Sequence, residues 1–504
     1  MSGSAIIISS IAFLLSVTVN GTTWYVATDG SDINPGTEQY PFQIIGKAVS
    51  LLQAGEIIYV RGGTYILSTT IVIAKSGSSN SVISLLAYPG EKPVLDFSSQ
   101  ALDGSNRVIV LTGSYWHIKG ISITGAGDNG MIIEGGSYNT VENCAFYRNR
   151  DSGLQIDNGA SYNNTLNCDS YFNADPTDYG DADGFAPKLT VGEGNYFYGC
   201  RSWRNCDDSW DGYLRGADDV STTLENCWAF ENGYFEDGTD AGPNANGNGF
   251  KMGGSDDKTL KRNFTLKNCL AFKNKAKGFD QNNNKGSMIL YNCTGHNNVV
   301  ADYRINQVLA SGKVLILKNC IDLGKVAEIG SFAEQEKNSW LAPFVVTEDD
   351  FISINESAAY GARKTNGDLP DIEYMHLAPG SDMIDAGVNV GLPFSGNAPD
   401  LGCFESVYTG VRDNILTSGI VCYPNPVRNH GILQFNLSSG GRCQIDLVDI
   451  SDRYIKTIAD QFVEAGEQNI SIDLSDVKDG YYIFLVKLDD LPAFASRLVK
   501  CYKG

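Results

Sequence analysis

Six segments of the sequence can be written one beneath another without a gap: NCAFYRN (143–149), NCDSYFN (167–173), GCRSWRN (199–205), NCWAFEN (226–232), NCLAFKN (268–274) and NCTGHNN (292–298). Cysteine is second and asparagine last in all six, and the fifth position is Tyr147, Tyr171, Trp203, Phe230, Phe272 or His296. A degenerate seventh copy, KNCIDLG, surrounds Cys320, and upstream HIKGISI (117–123) fits with Ile121 in the cysteine column. Successive copies start 24 residues apart at the closest (143 to 167) and 42 at the widest (226 to 268). A period of this size belongs to solenoids, propellers and arrays.

The units are short β-type runs, FTLKNC and MILYNC among them, separated by Gly, Asn and Asp, with little helical periodicity. One such unit cannot close a core, but stacked units bury one side chain per coil in a shared interior column. Cysteine is small and readily buried, which suits an inward column. Asparagine at a bend can hydrogen-bond the backbone of the next coil and tolerates the left-handed conformation. The repeat therefore predicts an all-β chain built on a right-handed parallel β-helix, with the ladder cysteines as buried free thiols rather than disulfides. Cys206, Cys403, Cys422, Cys443 and Cys501 fall outside the ladder, and no pairing is assigned to them. The open end of a β-helix must be covered. The stretch PFQIIGKAVSLLQAGEIIYVRGGTY holds one amphipathic helix, roughly Phe42 to Gln53, as a natural cap. Between 338 and 406 the repeat is lost.

The composition is globular: 504 residues, 42% apolar, 19% charged, with 55 glycines. A net charge of −21 disfavours nucleic acid and anionic membranes as partners. It also opposes a polyanionic substrate unless cations or a local basic patch offset the repulsion. Ala5 to Val19 is an apolar or small stretch with the length of a signal-peptide core, short for a membrane span. It lacks a preceding Lys or Arg, and a buried first strand is the alternative.

The tail alternates in RCQIDLVDI, QNISIDL and GYYIFLVKL, the pattern of a small antiparallel β-sandwich. It resembles the C-terminal sorting domain of the bacterial type nine secretion system. The matching pieces are Pro424-Asn425-Pro426, the Asp479-Gly480-Tyr481-Tyr482 turn and the final LVKCYKG; the usual glycine of the central hairpin is replaced around Ser451-Asp452-Arg453. The resemblance implies delivery to the secretion machinery, and a generic carbohydrate-binding sandwich is the alternative. The expected order is a signal peptide (1–22), the β-helix (23–407), a linker (408–419) and the sandwich (420–504). Such a chain is expected to be a monomer, secreted or cell-surface, without a membrane span.

Equivalent positions of stacked coils lie about 4.8 Å apart, so the repeat serves as a ruler. After each ladder asparagine comes a loop, then a small or polar residue and an inward aromatic or Leu: Gly153-Leu154, Gly184-Phe185, Ser209-Trp210, Gly249-Phe250 and Gly278-Phe279, with Tyr303 continuing the column. Two positions before the inward residue stand Asp183, Asp208, Asn248 and Lys277; one position after it stand Gln155, Ala186, Asp211, Lys251, Asp280 and Arg304. Residues flanking an inward residue point outward. Asp211 and Lys251 are thus expected side by side on an exposed face, with Asp183 stacked on Asp208 and Asp207 at the loop end of its coil. Read alone, CDDSWDGY (206–213) is as well a solvated acidic turn. With Asp183 beside it, four oxygen donors and no nearby His suit a hard cation, Ca²⁺ better than Mg²⁺. Bare carboxylates would keep Lys251 protonated, and a bound cation would reverse that field.

These residues resemble polysaccharide lyase family nine, the pectate-lyase-type β-helix proteins. The match covers most of 23–406, from YVATDGSDINPGTEQYPFQIIGKAV through DADGFAPKLTVGEGNYFYGC, CDDSWDGY and GNGFKMGG to LAPGSDMIDAGV and APDLGCFE. The resemblance implies Asp183, Asp207, Asp208 and Asp211 as calcium ligands and Lys251 as the Brønsted base of a β-elimination. The substrate implied is an acidic polysaccharide such as polygalacturonate, cleaved to 4,5-unsaturated products. Arg304, Lys277 and Lys188 are candidates for binding uronate carboxylates at neighbouring subsites. The loop GYFEDGTDAGPNAN (233–246) is somewhat long.

Alternatives remain open at this stage. A rhamnogalacturonan backbone suits the same chemistry. A β-helix glycoside hydrolase would use Asp207, Asp208 or Asp211 as acid and base with His296 as a helper, but gives Lys251 no role. A non-catalytic glycan-binding surface protein would hold calcium structurally.

Overall fold

In a computed structural model that describes residues 21–325, 327–406 and, with short interruptions, 416–501, each coil supplies one strand to each of three parallel sheets. Among the described residues these sheets hold twelve, ten and ten strands. The first runs from Thr23–Val26 to Glu334–Glu336, the second from Ile71–Ile73 to Glu328–Ile329, and the third, which carries the repeat, from Gly63–Ile66 to Ile321–Leu323. The path is a right-handed parallel β-helix.

Each position of the repeat has a distinct physical task. Cys144, Cys168, Cys200, Cys227, Cys269, Cys293 and Cys320 form a buried interior column, and all are free. Ile121 holds the same place one coil earlier: the Ala145 amide bonds to its carbonyl at 3.1 Å, as the Asp169 amide does to that of Cys144 at 3.0 Å. The residue before each cysteine turns a left-handed corner, with φ of 50–53° at Asn143, Asn167, Asn226, Asn268 and Asn292 and 63° at Gly199. Asn and Gly are the residues that tolerate it. The closing asparagines form a ladder. Each Nδ2 donates to the next Oδ1 at 2.8–2.9 Å, from Asn149 through Asn173, Asn205, Asn232 and Asn274 to Asn298. The ladder ends on Asp302 Oδ1. Buried amides need partners, and each rung supplies them to the next.

The aromatic fifth positions face outward. Tyr147, Tyr171, Trp203, Phe230 and Phe272 stack at 4.3–5.5 Å with planes within 11°. The segment that loses the repeat folds back over them: Phe351, Ile372, Tyr374, Met375, Leu377 and Met383 are buried against Trp203, Phe230 and Phe272. A buried cluster fastens this cover, with Asp169 accepting from Arg201 (2.9 Å) and Arg363 (2.6 Å) while Arg201 holds the carbonyls of Ala359 and Gly361.

The capping helix spans Ile45–Leu51 and buries Ile45, Ala48 and Val49 over the first coil. It is shorter than the expected 42–53. Phe42 instead bridges to Val26 and stacks on Trp24 at 5.8 Å, and Asp32 Oδ1 accepts the amides of Gln43 and Ile44, which holds that stretch extended.

The second compact unit comprises 391–399 and the residues from Glu405 onward. Its strands form an antiparallel three-stranded sheet (Leu416–Tyr423, His430–Leu437, Gly466–Asp473) and a four-stranded one (Gly441–Asp449, Tyr454–Val463, Gly480–Leu488, Leu491–Cys501) around Leu433, Phe435, Ile445, Leu447, Phe484 and Val486. Its first strand starts at Leu416, inside the stretch read as linker. Residues 1–20 of the expected signal segment (1–22), residues 408–415 of the expected linker, Pro424–Pro426, Ser451–Arg453 and Asp479 lie outside the described residues. Among the described residues no helix is long and apolar enough to cross a membrane.

Candidate active site

The second sheet sets the register of the site. Leu154, Phe185, Trp210, Phe250, Phe279 and Tyr303 pair in sequence as its inward column. The rings from Phe185 to Tyr303 follow one another at 4.7–5.2 Å. Glycine precedes most of these residues because the neighbouring coil comes too close for a side chain: a Cβ on Gly249 or Gly278 would press on the ladder amides of Asn274 or Asn298. With the column fixed, Asp211 pairs with Lys251, Lys251 with Asp280 and Asp280 with Arg304. Two residues earlier on each coil, the Gly184, Ser209 and Gly249 amides reach the carbonyls of Asp208, Asn248 and Lys277, so Asp183, Asp208, Asn248 and Lys277 also stack.

Side chains converge accordingly. Carboxylate oxygens of Asp183, Asp207 and Asp208 lie within 4.8 Å of one another. Lys251 Nζ is 2.9 Å from Asp208 Oδ2 and 3.3 Å from Asp211 Oδ1. Lys188 Nζ is 2.7 Å from Asp183 Oδ2 and 3.7 Å from Asp211 Oδ2. Asp183 Oδ1 accepts the Asp208 amide (3.1 Å), Asp208 Oδ1 accepts both the amide and Nδ2 of Asn248 (2.8 Å each), and Asp211 Oδ1 accepts the Tyr213 amide (2.9 Å). Tyr213 also lays its ring 5.5 Å from Lys251 Nζ.

The face is far less open than strand alternation suggests. Asp183 and Asp208 are fully buried, Asp211 is 5% exposed and Lys251 7%. Neighbouring loops wall the cluster in: Ala182 and Cys206 are buried with Ala241 and Ala245. Burial makes the charge balance severe, since four carboxylates face two ammonium groups. Burial pushes the Asp183 and Asp207 carboxyls well up, and that of Asp208 up, against the pull of the lysines. For Asp211 burial acts the same way, but Lys251 and Lys188 outweigh it and hold its carboxyl below the usual range. Burial opposes the Lys251 charge too, yet Asp208, Asp211, Asp207 and Asp183 hold its ammonium well above the usual lysine range. Asp208 Oδ2 is held by the Lys251 ammonium at 2.9 Å. Four buried carboxylates against two ammonium groups, with oxygens of three of them clustered, are the donor set of a hard divalent cation.

Lys188 stands within the acidic cluster: it follows the strand Phe185–Pro187, and its ammonium reaches Asp183 and Asp211. Lys277 and Arg304 do lie further along the outer face, Lys277 on Asp280 (3.1 Å) and Arg304 on Glu328 (2.8 and 2.5 Å). His296 is on the third sheet, buried under Tyr374 at 2.6 Å, and takes no part in the cluster. Sequence reasoning missed Asn246 as a partner of Asp207 and saw Asn248 without its contact to Asp208. The closely spaced asparagines just ahead of Gly249-Phe250-Lys251 were the available signal.

The chain is similar to known proteins over most of its length. Residues 24–314 match the family model described as Pel9A-like, right handed beta helix region, and residues 421–500 match the secretion system C-terminal sorting domain. Pectate lyase L of Dickeya chrysanthemi is 39% identical over 76% of this chain and 90% of its own length. The crystal structure of pectate lyase Pel9A superposes with a TM-score of 0.71 at 37% identity, covering 76% of this chain and 96% of that one. A rhamnogalacturonan lyase structure follows with a TM-score of 0.63 at 28% identity, covering 71% and 97%.

Proposed function

The chain belongs to the Pel9A-like right-handed β-helix family and is a polysaccharide lyase, and on that premise we propose that it is a calcium-dependent pectate lyase. It cleaves (1→4)-α-D-galacturonan by β-elimination and leaves 4,5-unsaturated oligogalacturonates. The observation that carries this reading is the contact of Lys251 with a buried acidic cluster that two lysines leave short of two positive charges.

Asp183, Asp207, Asp208 and Asp211 are the residues that would hold the ion. A bound Ca²⁺ supplies charge neutralisation at the uronate carboxylate, which acidifies the adjacent C5 proton. Lys251 is the base for that proton. The C5–H electron pair becomes the C4=C5 double bond, and O4 departs with the pair of the C4–O4 bond and is protonated. The carboxylates that keep Lys251 protonated are the ones a cation neutralises, so the free amine and the occupied site go together. Lys188, against Asp183 and Asp211, tethers the cluster from the other side. Arg304 and Lys277 continue the outer face and suit carboxylates of neighbouring uronates.

A rhamnogalacturonan backbone is the second reading, favoured by the likeness to a rhamnogalacturonan lyase over most of the β-helix. The C-terminal unit marks the chain for secretion or surface export, and the N-terminal segment serves as its export signal. The test is a product profile by mass on the two polymers. Unsaturated oligogalacturonates from homogalacturonan support the proposal. Saturated products would overturn it, and unsaturated products from rhamnogalacturonan alone would install the second reading.

A further inference from the structure

Between the third-sheet strand Trp228–Phe230 and the second-sheet strand Phe250–Lys251 the chain makes a closed detour, residues 233–247. Its neck is pinched by two glycines. Gly233 (φ 88°) and Gly247 (φ 65°) meet so closely that a Cβ on either would lie 2.8–2.9 Å from the other's Cα. The Ala241 amide bonds back to the Gly233 carbonyl at 3.0 Å, the geometry of a compact Ω-loop. The far side is fastened to the body. Glu236 pairs with Arg148 (2.8 and 2.5 Å), Asp240 with Lys275 (2.5 Å), and Asn244 Nδ2 donates to the Asp178 carbonyl (3.2 Å). Phe235 meets Tyr179 edge-on at 4.9 Å.

The loop returns to the helix at the cation cluster. Asn246 donates its amide to Asp207 Oδ1 (2.5 Å) and its Nδ2 to Asp207 Oδ2 (3.3 Å). Among the described residues it is the sole hydrogen-bond donor to that carboxylate. Asp211 lies on the strand Trp210–Asp211 and the Asp208 carboxylate is held by Asn248 and Lys251, whereas Asp207 stands at the loop end of its coil, with its amide on the Ala182 carbonyl and its carboxylate on Asn246. The Asp207 carboxylate is thus oriented by Asn246, and Asn246 stands directly beside the neck glycine Gly247.

We infer that the 233–247 loop is a clasp on the cation site, with Asn246 as the positioning residue that aims Asp207. This rests on the reading of the cluster as a calcium site. Partners that orient a metal ligand contribute about 10- to 100-fold in metal affinity. By linkage, the cation in turn favours the closed loop.

The test is calorimetric titration of calcium into the full chain and its Asn246→Ala and Gly247→Ala variants, with lyase rates at rising calcium. Gly247→Ala strains the neck, and Asn246→Ala keeps the question answerable if that variant fails to fold. The expected result is a calcium Kd weakened about 10-fold or more and turnover recovered by raising calcium. A variant that melts lower but binds calcium like the wild type shows a purely structural loop and overturns the inference. Wild-type chain that binds no calcium sinks the cation reading and the clasp together, whereas tight wild-type binding shared by both variants sinks the clasp alone.

Discussion

Replacing Lys251 with alanine separates three quantities that a simple loss of function would confound. Lys251 is 7% exposed, and its ammonium lies 2.9 Å from Asp208 Oδ2 and 3.3 Å from Asp211 Oδ1. Breaking a buried pair by removing one partner costs about 3–5 kcal/mol, because the remaining charge is left uncompensated. In chelator the variant is therefore destabilised by about that amount. Calcium reverses the loss: a unit charge about 4 Å away at an effective dielectric of about 20 is worth about 4 kcal/mol, and the ion no longer competes with it. Calcium affinity is then equal to or tighter than wild type. Turnover falls by about 10²- to 10⁴-fold with the general base gone. Thermal unfolding with chelator and with calcium, calorimetry, and the ultraviolet rate on polygalacturonate read the three effects. If calcium binding and turnover are lost together, Lys251 is a prop of the cluster. If turnover survives, it is no base.

Other perturbations address the remaining parts. Asp208→Asn keeps an oxygen for the two Asn248 donors but removes a charged donor; calorimetry is expected to show calcium affinity down by at least about 10-fold, with turnover lost in parallel. In chelator, stability falls as pH rises above about 4, because the Asp183, Asp207 and Asp208 carboxyls are raised in the folded chain and the native state then binds more protons than the unfolded one. Calcium stabilises increasingly over the same range and releases protons on binding, which melting curves and buffer-dependent calorimetric heats detect. Asn205→Ala takes away the side-chain acceptor of the buried Asn173 amide and one of the two donors to Asn232 Oδ1, which keeps the residue-205 backbone amide, lowering stability by about 1–3 kcal/mol in urea unfolding.

How far the sequence carries can be read residue by residue. The Cys-Asn repeat fixes the phase of every coil, because one buried thiol and one ladder amide recur per turn. From that phase the neighbours Asp211 and Lys251, and the stack of Asp183 on Asp208, follow by counting. The burial of the site does not follow, because the walls around it are loops at 174–182 and 233–247 whose paths have no period. The contact of Lys188 with Asp183 and Asp211 does not follow from the repeat either, because Lys188 lies beyond the strand Phe185–Pro187, where the columns are not counted. The cover over the aromatic stack was hidden in a stretch without repeat. Its trace lies in the strands beneath, where WAF (228–230) and LAF (270–272) are apolar throughout, as strands buried on both faces are.

The central claim, elimination by Lys251 at a calcium-loaded acidic cluster, is tested most directly by following ultraviolet absorbance while wild-type protein acts on polygalacturonate in calcium, then in chelator, then with calcium restored. The expected trace rises, stops and resumes as the conjugated unsaturated uronate forms, halts and forms again. Chain scission that yields reducing ends without this absorbance, or absorbance that continues undiminished in chelator, would contradict it.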